Sequence, residues 1–392
     1  MMKHCAKISA ICFLLLINGC ASTTTQKDIS AAVDSVSRYW VPDKREGICN
    51  INCYVSNGKA LLKGETNVAE AKQAITRIAA SAYGSFIDSV KLLPDTTEIK
   101  NYRALVNVSV CNIRAKPDHD QELISQAVMG TPLLVLEEKD GWAHIQTPDF
   151  YLGWVDEDAI TTLSSSEFSQ WKMSKRVIFT GKTGELLSET DGETVTDIVA
   201  GTILRTDGRT GKKIRLILPD GREGVLPEEN LHDFREWATS KRPLPENLVK
   251  TARSMMGTPY LWGGTSVRGL DCSGFVKTVY FLNGIILARD ASLQVRHGIV
   301  IADHRNISDL KNGDLLFFGW NRDKGLKPTH VGMYIGDTEF IQEAGMVRIN
   351  SLDSTRKNFS RYRSDSFLAA RRIIEAPTGR GIQPVINHPW YF

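Results

Sequence analysis

The chain of 392 residues carries almost no excess of charge: 48 Lys and Arg stand against 45 Asp and Glu, +3 overall. Nucleic-acid binding draws on concentrated positive charge, so nothing here supports such a partner. Cysteine is scarce as well. Of seven, Cys5, Cys12 and Cys20 fall at the start, leaving Cys49, Cys53, Cys111 and Cys272. Four are too few for a disulfide framework, and no paired CxxC or HxxxH spacing exists to hold zinc. Cys49 and Cys53 would lie about 13 Å apart on one strand and could bridge only across a turn. After residue 22 no run is long and apolar enough to span a membrane. Gly 31 and Pro 14 are too few for a low-complexity chain, and the length calls for several domains.

What is present begins with Lys3 and Lys7 ahead of an apolar run from Ile8 to Ile17. This reads as a secretory signal peptide over residues 1–19. Leu16-Ile-Asn-Gly-Cys20 resembles a bacterial lipobox, which implies lipidation of Cys20 and an exported protein anchored to a bacterial membrane, facing the periplasm. Residues 20–30, rich in Thr, read as a tether.

Four folded segments follow. Residues 31–100 mix a helix near Ala31 to Trp40, an alternating stretch Ile48 to Leu62 broken at Asn57-Gly58, a helix near Val68 to Ala80 and a strand Phe86 to Leu93. This is a small α+β module. Residues 103–163 offer short strands at Val106 to Val110, Asn112 to Arg114, Leu133 to Leu136, Trp142 to Gln146 and Gly153 to Val155, the spacing of a small barrel. Residues 175–234 alternate again, with turns at Asp191-Gly192, Asp207-Gly208 and Asp220-Gly221, and read as a second, divergent barrel. A linker is expected from Trp237 to Pro245. From Pro245, which suits a helix first turn, Leu248, Ala252 and Met255 recur at helical spacing. The last domain runs over 245–375, with 376–392 as a tail.

Chemistry concentrates in that last domain. Asp271 is a good N-cap and Val276, Val279 and Tyr280 fit a helix face, which places Cys272 in the first helical turn. The unpaired N–H groups and positive dipole end there favour a thiolate and offer an oxyanion hole. From this helix alone a structural cysteine fits equally well. Thr329 to Gly336 alternates Val331, Met333, Ile335 against His330, Gly332, Tyr334, so His330 projects beside a glycine. If Gly336-Asp-Thr338 is a three-residue loop, Gly332 faces Gln342, and His330 lies diagonal to Gln342 on the same face. A two-residue loop would put Gln342 on the other side. Gln342 is then placed to orient the imidazole, while His297 and His304 stand as alternative bases.

Asn112-Ile-Arg114, Gly130, Gly141-Trp142 and Gly153-Trp-Val155 resemble a bacterial SH3-like domain. Pro259-Tyr-Leu-Trp-Gly-Gly264, Asp271-Cys-Ser-Gly-Phe275, Asn312-Gly-Asp-Leu-Leu-Phe-Phe318 and His330-Val-Gly-Met-Tyr-Ile-Gly336 resemble the NlpC-type cell-wall cysteine peptidases, whose domain is papain-like. The resemblance implies a multidomain α+β protein with two SH3-like barrels before the peptidase. It also implies catalytic roles for Cys272 as nucleophile, His330 as base and Gln342 where the family most often has His. The layout is similar to gamma-D-glutamyl-L-diamino acid endopeptidases of the dipeptidyl-peptidase VI kind, which cut murein stem peptides that have a free L-Ala amine. That implies an ammonium subsite, for which Asp271, Tyr260, Ser273, Tyr151 and Glu122 are candidates, and a diamino-acid side near Asp290 and Ser292. No cofactor or metal is called for. The alternatives are a non-catalytic peptidoglycan-binding lipoprotein, and a Cys/His amidase or acyltransferase on another cell-wall substrate.

Overall fold

A computed structural model describes residues 26–392 apart from 57–58, 304–306 and 323–324. The expected signal peptide, the Cys20 lipidation site, the Asn57-Gly58 break and His304 lie outside the described residues. Among the described residues no helix is long and apolar enough to cross a membrane. The chain divides into two compact units, Met1–Glu98 and Ile99–Phe392.

In the first unit, helix α1 (Gln26–Trp40) precedes strands β1 (Cys49–Ser56) and β2 (Lys59–Thr66), helix α2 (Ala69–Tyr83) and strand β3 (Phe86–Leu92). The tether expected through residue 30 is already helical from Gln26, because Ile29, Val33 and Val36 form a stripe at spacings of four and three that is buried in the core. β1 and β2 pair antiparallel, and β3 joins β2 in parallel after the α2 crossover. Ile51, Cys53 and Leu62 meet Ile75 and Ile78 in the core. Cys49 and Cys53 share β1, and neither is in a disulfide among the described residues.

The second unit holds two antiparallel seven-stranded sheets and a catalytic-type α+β domain. The first sheet comprises β4 (Arg103–Val106), β5 (Val110–Arg114), β6 (Leu123–Val128), β7 (Pro132–Lys139), β8 (Trp142–Gln146), β9 (Leu152–Asp156) and β10 (Ile160–Leu163). They pair in the order β10-β4-β7-β8-β9-β5-β6. The single strand expected from Val106 to Val110 is two, because β4 ends at Val106 and β5, beginning at Val110, pairs elsewhere in the sheet. Helix α3 (Ser165–Met173), closed by a Ser164/Glu167 capping box, leads to the second sheet. Its strands are β11 (Arg176–Phe179), β12 (Thr183–Leu187), β13 (Thr194–Val199), β14 (Ile203–Thr210), β15 (Lys213–Ile217), β16 (Glu223–Pro227) and β17 (Leu231–Asp233).

The expected linker is shorter than the sequence suggested. Phe234–Ser240 is helix α4, anchored by buried Phe234 and Trp237, so only the stretch between it and Pro245 connects. Helix α5 (Pro245–Ser254) has Pro at its start, where a missing N–H costs nothing. One short ladder follows, β18 (Thr265–Ser266) with β19 (Gly269–Leu270), and then helix α6 (Cys272–Phe281). After β20 (Ile285–Ile286) and the one-turn helix α7 (Ala291–Gln294) come β21 (Ile299–Asp303), β22 (Leu315–Arg322), β23 (Gly325–Gly336), β24 (Glu339–Ala344) and β25 (Met346–Ser351). Helix α8 (Arg361–Asp365), β26 (Phe367–Arg372) and β27 (Gln383–Pro384) complete the domain. Its main sheet runs β21-β26-β22-β23-β24-β25. Phe275, Val276, Val279 and Tyr280 of α6 are fully buried with Val331, Met333 and Ile341, and each such side chain contributes about 1.5–3 kcal/mol. Phe318, Tyr334, Phe340 and Phe367 form a second core.

Residues 376–392 are not a loose tail. β27 pairs with β20, and Val385 and Tyr391 are buried with Trp171, Phe234, Trp237 and Ile286, because an aromatic-rich end has apolar area to bury. The Tyr391 carbonyl accepts a hydrogen bond from Arg176 at 2.8 Å. The first sheet docks on the catalytic-type domain through Gln126, whose side-chain and backbone oxygens accept from the Thr265 N–H (3.1 Å) and hydroxyl (2.8 Å). Lys277 reaches the buried Asp149 at 3.0 Å.

Candidate active site

Asp271 caps α6, accepting from the Gly274 N–H at 2.7 Å, so Cys272 opens the helix as expected. The cap requires a close approach: a Cβ on Gly274 would lie 2.0 Å from the Gly264 carbonyl oxygen. Cys272 is partly exposed. The backbone amides of Val331, next to His330 on β23, and of Ser273 lie near enough to its sulfur to favour a thiolate.

The β23–β24 hairpin reaches the expected face by another route. Its loop has two residues, Asp337 and Thr338, both at positive φ. Gly336 pairs with Glu339, then Ile335 bulges out of the ladder, so that Tyr334 meets Phe340 and Gly332 meets Gln342. The bulge cancels the one-residue offset that a two-residue loop introduces. His330 Nε2 and Gln342 Oε1 are 2.7 Å apart. The Arg363 Nε–H donates to the same oxygen at 3.0 Å, and Gln342 Nε2 donates to Asn350 Oδ1 at 2.7 Å. Two donors therefore converge on Oε1. This assigns the imidazole proton to Nε2 and leaves the lone pair on Nδ1.

Around the thiol, burial works against what the helix start favours. Burial, then the neighbouring Asp271 carboxylate, push it up to about 11, and the Val331 and Ser273 amides with Arg289 pull it only partway back. Burial and then the Arg363 guanidinium bring His330 down to about 3. Burial thus disfavours both the thiolate and the imidazolium.

Asp271, a candidate for binding an ammonium, is engaged on both oxygens. Oδ1 accepts from Gly274, Ser273 Oγ (3.1 Å) and Arg289 Nη1 (3.0 Å), and Oδ2 from the Gly263 N–H (3.1 Å) and Arg289 Nη2 (2.5 Å). Burial alone would raise its carboxyl, but Arg289 and these donors hold it below the usual carboxylate range. It fixes the loop and the helix start. Ser273 is likewise buried, with its hydroxyl also accepting from Arg289 at 2.9 Å.

Other candidates gather where the first β sheet meets this domain. The Tyr151 hydroxyl donates to Asp290 Oδ2 at 2.9 Å, and Arg289, next to Asp290, donates to Ser125 Oγ at 3.1 Å. Ser292 lies in the α7 turn after Asp290 and is partly exposed. Glu122 accepts from the Trp262 indole at 2.9 Å, two residues from Tyr260. Tyr260 is 40% exposed, and its phenol is pushed up to about 12 by burial and then by the Cys272 and Asp271 charges. Of the alternative bases, His297 is half-buried on the turn after α7, with its ring against Gly379.

The sequence reading missed Asn350, Arg363 and the Arg289 ion pair. Asn350 could have been reached by continuing the register onto β25, where Gln342 pairs with Arg348. Arg363 lies in a turn of helix with no pattern to signal it. Glu343, next to Gln342, was also overlooked. It is fully buried, neither carboxylate oxygen has a hydrogen-bond partner, and burial pushes it up to about 7. A carboxyl raised above its unfolded value of 4.5 loses stability as pH climbs from there through 7. Glu343→Gln is therefore expected to raise stability by roughly 1–3 kcal/mol at pH 8 and hardly at all at pH 5, a contrast read by thermal melts at both.

Residues 257–371 match the NlpC/P60 family, and residues 113–160 match the bacterial dipeptidyl-peptidase SH3 domain. The chain is similar to the dipeptidyl-peptidase 6 of Lysinibacillus sphaericus, 31% identical over 267 residues, which is 64% of this chain and 92% of that one. A gamma-D-glutamyl-L-lysine dipeptidyl-peptidase of Bacillus cereus is 30% identical over 56% of this chain and 67% of its own. The crystal structure of an NlpC/P60 family protein from Bacillus cereus superposes with a TM-score of 0.60 at 24% identity, covering 69% of this chain and 99% of that one. At that identity the likeness is one of fold.

Proposed function

Because the chain belongs to the NlpC/P60 family of cysteine peptidases, we propose that it hydrolyses the gamma-D-glutamyl–diamino acid bond of murein stem peptides bearing a free N-terminal L-Ala. The observation that carries this reading is the thiol at the α6 start beside the strand that presents His330, whose far nitrogen is bonded to Gln342. In this reading Cys272 Sγ attacks the γ-carbonyl carbon while its proton passes to His330 Nδ1. The Cys272 N–H at the helix start takes the oxyanion, and His330 then protonates the departing amine. Water, deprotonated by His330, cleaves the thioester and frees the enzyme.

The relatives' names supply the bond and the dipeptidyl specificity. Asp271 is tied to Arg289, and Asp290, held by Tyr151 of the β sheet docked alongside, and Glu122, bonded to Trp262, are the other acidic candidates for an N-terminal ammonium. The test is incubation with L-Ala-gamma-D-Glu-diamino acid tripeptides, free and N-acetylated, with products read by mass. The free peptide is expected to release its diamino acid at least about 100-fold faster, because acetylation removes the charge that the subsite would pair. Equal rates would remove the ammonium subsite, and no cleavage of either peptide would reject the substrate.

A further inference from the structure

Gln342 is the least self-sufficient group of the site. A carboxamide presents an oxygen and an NH2 of nearly the same shape, and nothing in its own chemistry decides which one faces the imidazole. With NH2 inward it would donate to His330 Nε2, forcing the proton onto Nδ1 and removing the lone pair that must take the thiol proton. The surrounding contacts decide the matter. Arg363 can only donate, and its Nε–H lies 3.0 Å from Oε1. On the far side, Asn350 Oδ1 accepts from Gln342 Nε2 at 2.7 Å, while Asn350 Nδ2 donates to the Asn358 carbonyl at 3.1 Å. A flipped Gln342 would set NH2 against the Arg363 donor and oxygen against oxygen.

Resting on the assignment of Cys272 and His330 as the reacting pair, we propose that Arg363 is a positioning residue of this peptidase, which locks the Gln342 amide with its oxygen toward His330 and thereby keeps the Nδ1 lone pair for Cys272. The guanidinium is itself held in place, 5.6 Å over the Phe318 ring and 5.2 Å from that of Tyr362. Phe318 also packs against His330, with ring centroids 5.9 Å apart, so one aromatic side chain supports both partners of Gln342.

A second consequence is electrostatic. The groups around His330 are uncharged Phe318 on β22, Gln342 on β24, exposed Arg348 and neutral Asn350 on β25, Asp271 and Cys272 at the start of α6, and Tyr362 with Arg363 on α8. Asp271 is offset by Arg289, which leaves Arg363 as the nearest uncompensated cation. It opposes formation of the imidazolium in the resting enzyme, so that His330 stays a base into mild acid.

The experiment compares Arg363→Met and Arg363→Lys with the parent, after circular dichroism melts show that each folds. Loss of the cation in Arg363→Met is expected to move the acid limb of kcat/KM upward by about one pH unit and to lower kcat about tenfold or more. Arg363→Lys keeps the charge but loses the planar Nε–H, so its limb should stay within about a third of that shift while kcat still falls. A purely structural role would lower both variants' melting points and leave the acid limb unmoved. The tautomer gives an independent reading. In a Cys272→Ala background, imidazole 15N NMR should show Nε2 protonated with Arg363 present and a mixture of tautomers with Met there. Unchanged limbs together with an unchanged tautomer would overturn the proposal. Persistent hydrolysis by Cys272→Ala would instead remove the assignment beneath it.

Discussion

Cys272→Ala is expected to lower hydrolysis by at least about 10⁴-fold while leaving the melting temperature within a degree or two, because the nucleophile has no substitute in reach and its deletion removes one partly exposed sulfur. Cys111, the other described thiol of this unit, is buried in the first β sheet. Since burial disfavours both the thiolate and the imidazolium, proton transfer is expected to accompany S–C bond formation. Cys272→Ser, which keeps a proton to transfer but a poorer nucleophile, should therefore retain only a trace of rate. Measurement of product release by mass, with titrated active enzyme, checks both; turnover by the alanine variant near the parent rate would end the covalent mechanism.

Arg289→Ala should be the most damaging single change to stability. The guanidinium is 1% exposed, forks onto both oxygens of Asp271, and also donates to Ser273 and Ser125. Its removal leaves a buried carboxylate without its countercharge, a loss of about 3–5 kcal/mol, which at this domain size lowers the melting point by on the order of 10 °C. The sign with pH follows from Asp271. In the parent, its depressed carboxyl contributes stability above the unfolded value of 3.8 that is lost as pH falls below it. Without Arg289 the carboxyl rises, so the variant's deficit should be largest near pH 7 and shrink toward pH 4. Asp271→Asn combined with Arg289→Met should recover part of the loss. Equal melting curves for parent and Arg289→Ala would show that the pair is solvated rather than buried. As a reference, Arg268→Ala breaks an exposed pair with Asp197 and should change stability by less than about 1 kcal/mol.

The parts of the site that the sequence made legible are those with local causes. A capping Asp before an apolar helical face placed Cys272, and strict alternation placed His330. The charge state was not legible, because it depends on how deeply the sulfur is covered and on Asp271, whose effect outweighs the helix amides. Arg289 and Arg363 reach their partners across 18 and 21 residues, where no periodicity carries information. In the β sheets the strand Leu123–Val128 went unseen because its exposed and buried positions do not alternate in polarity, and Trp237 was read as linker because the Lys-Arg-Pro after it dominates the local composition.

The bulge at Ile335 separates two things that a hairpin ordinarily ties together. Asp337 and Thr338 answer to the geometry of reversal, whereas His330 and Gln342 answer to the spacing across the ladder, and one unpaired residue between them absorbs the difference. Hairpins of unequal length can therefore deliver the same two side chains to the same place. An alignment that matches turn residues one by one will assign the wrong partner to the imidazole, and one that counts outward from Gly332 will find the right one.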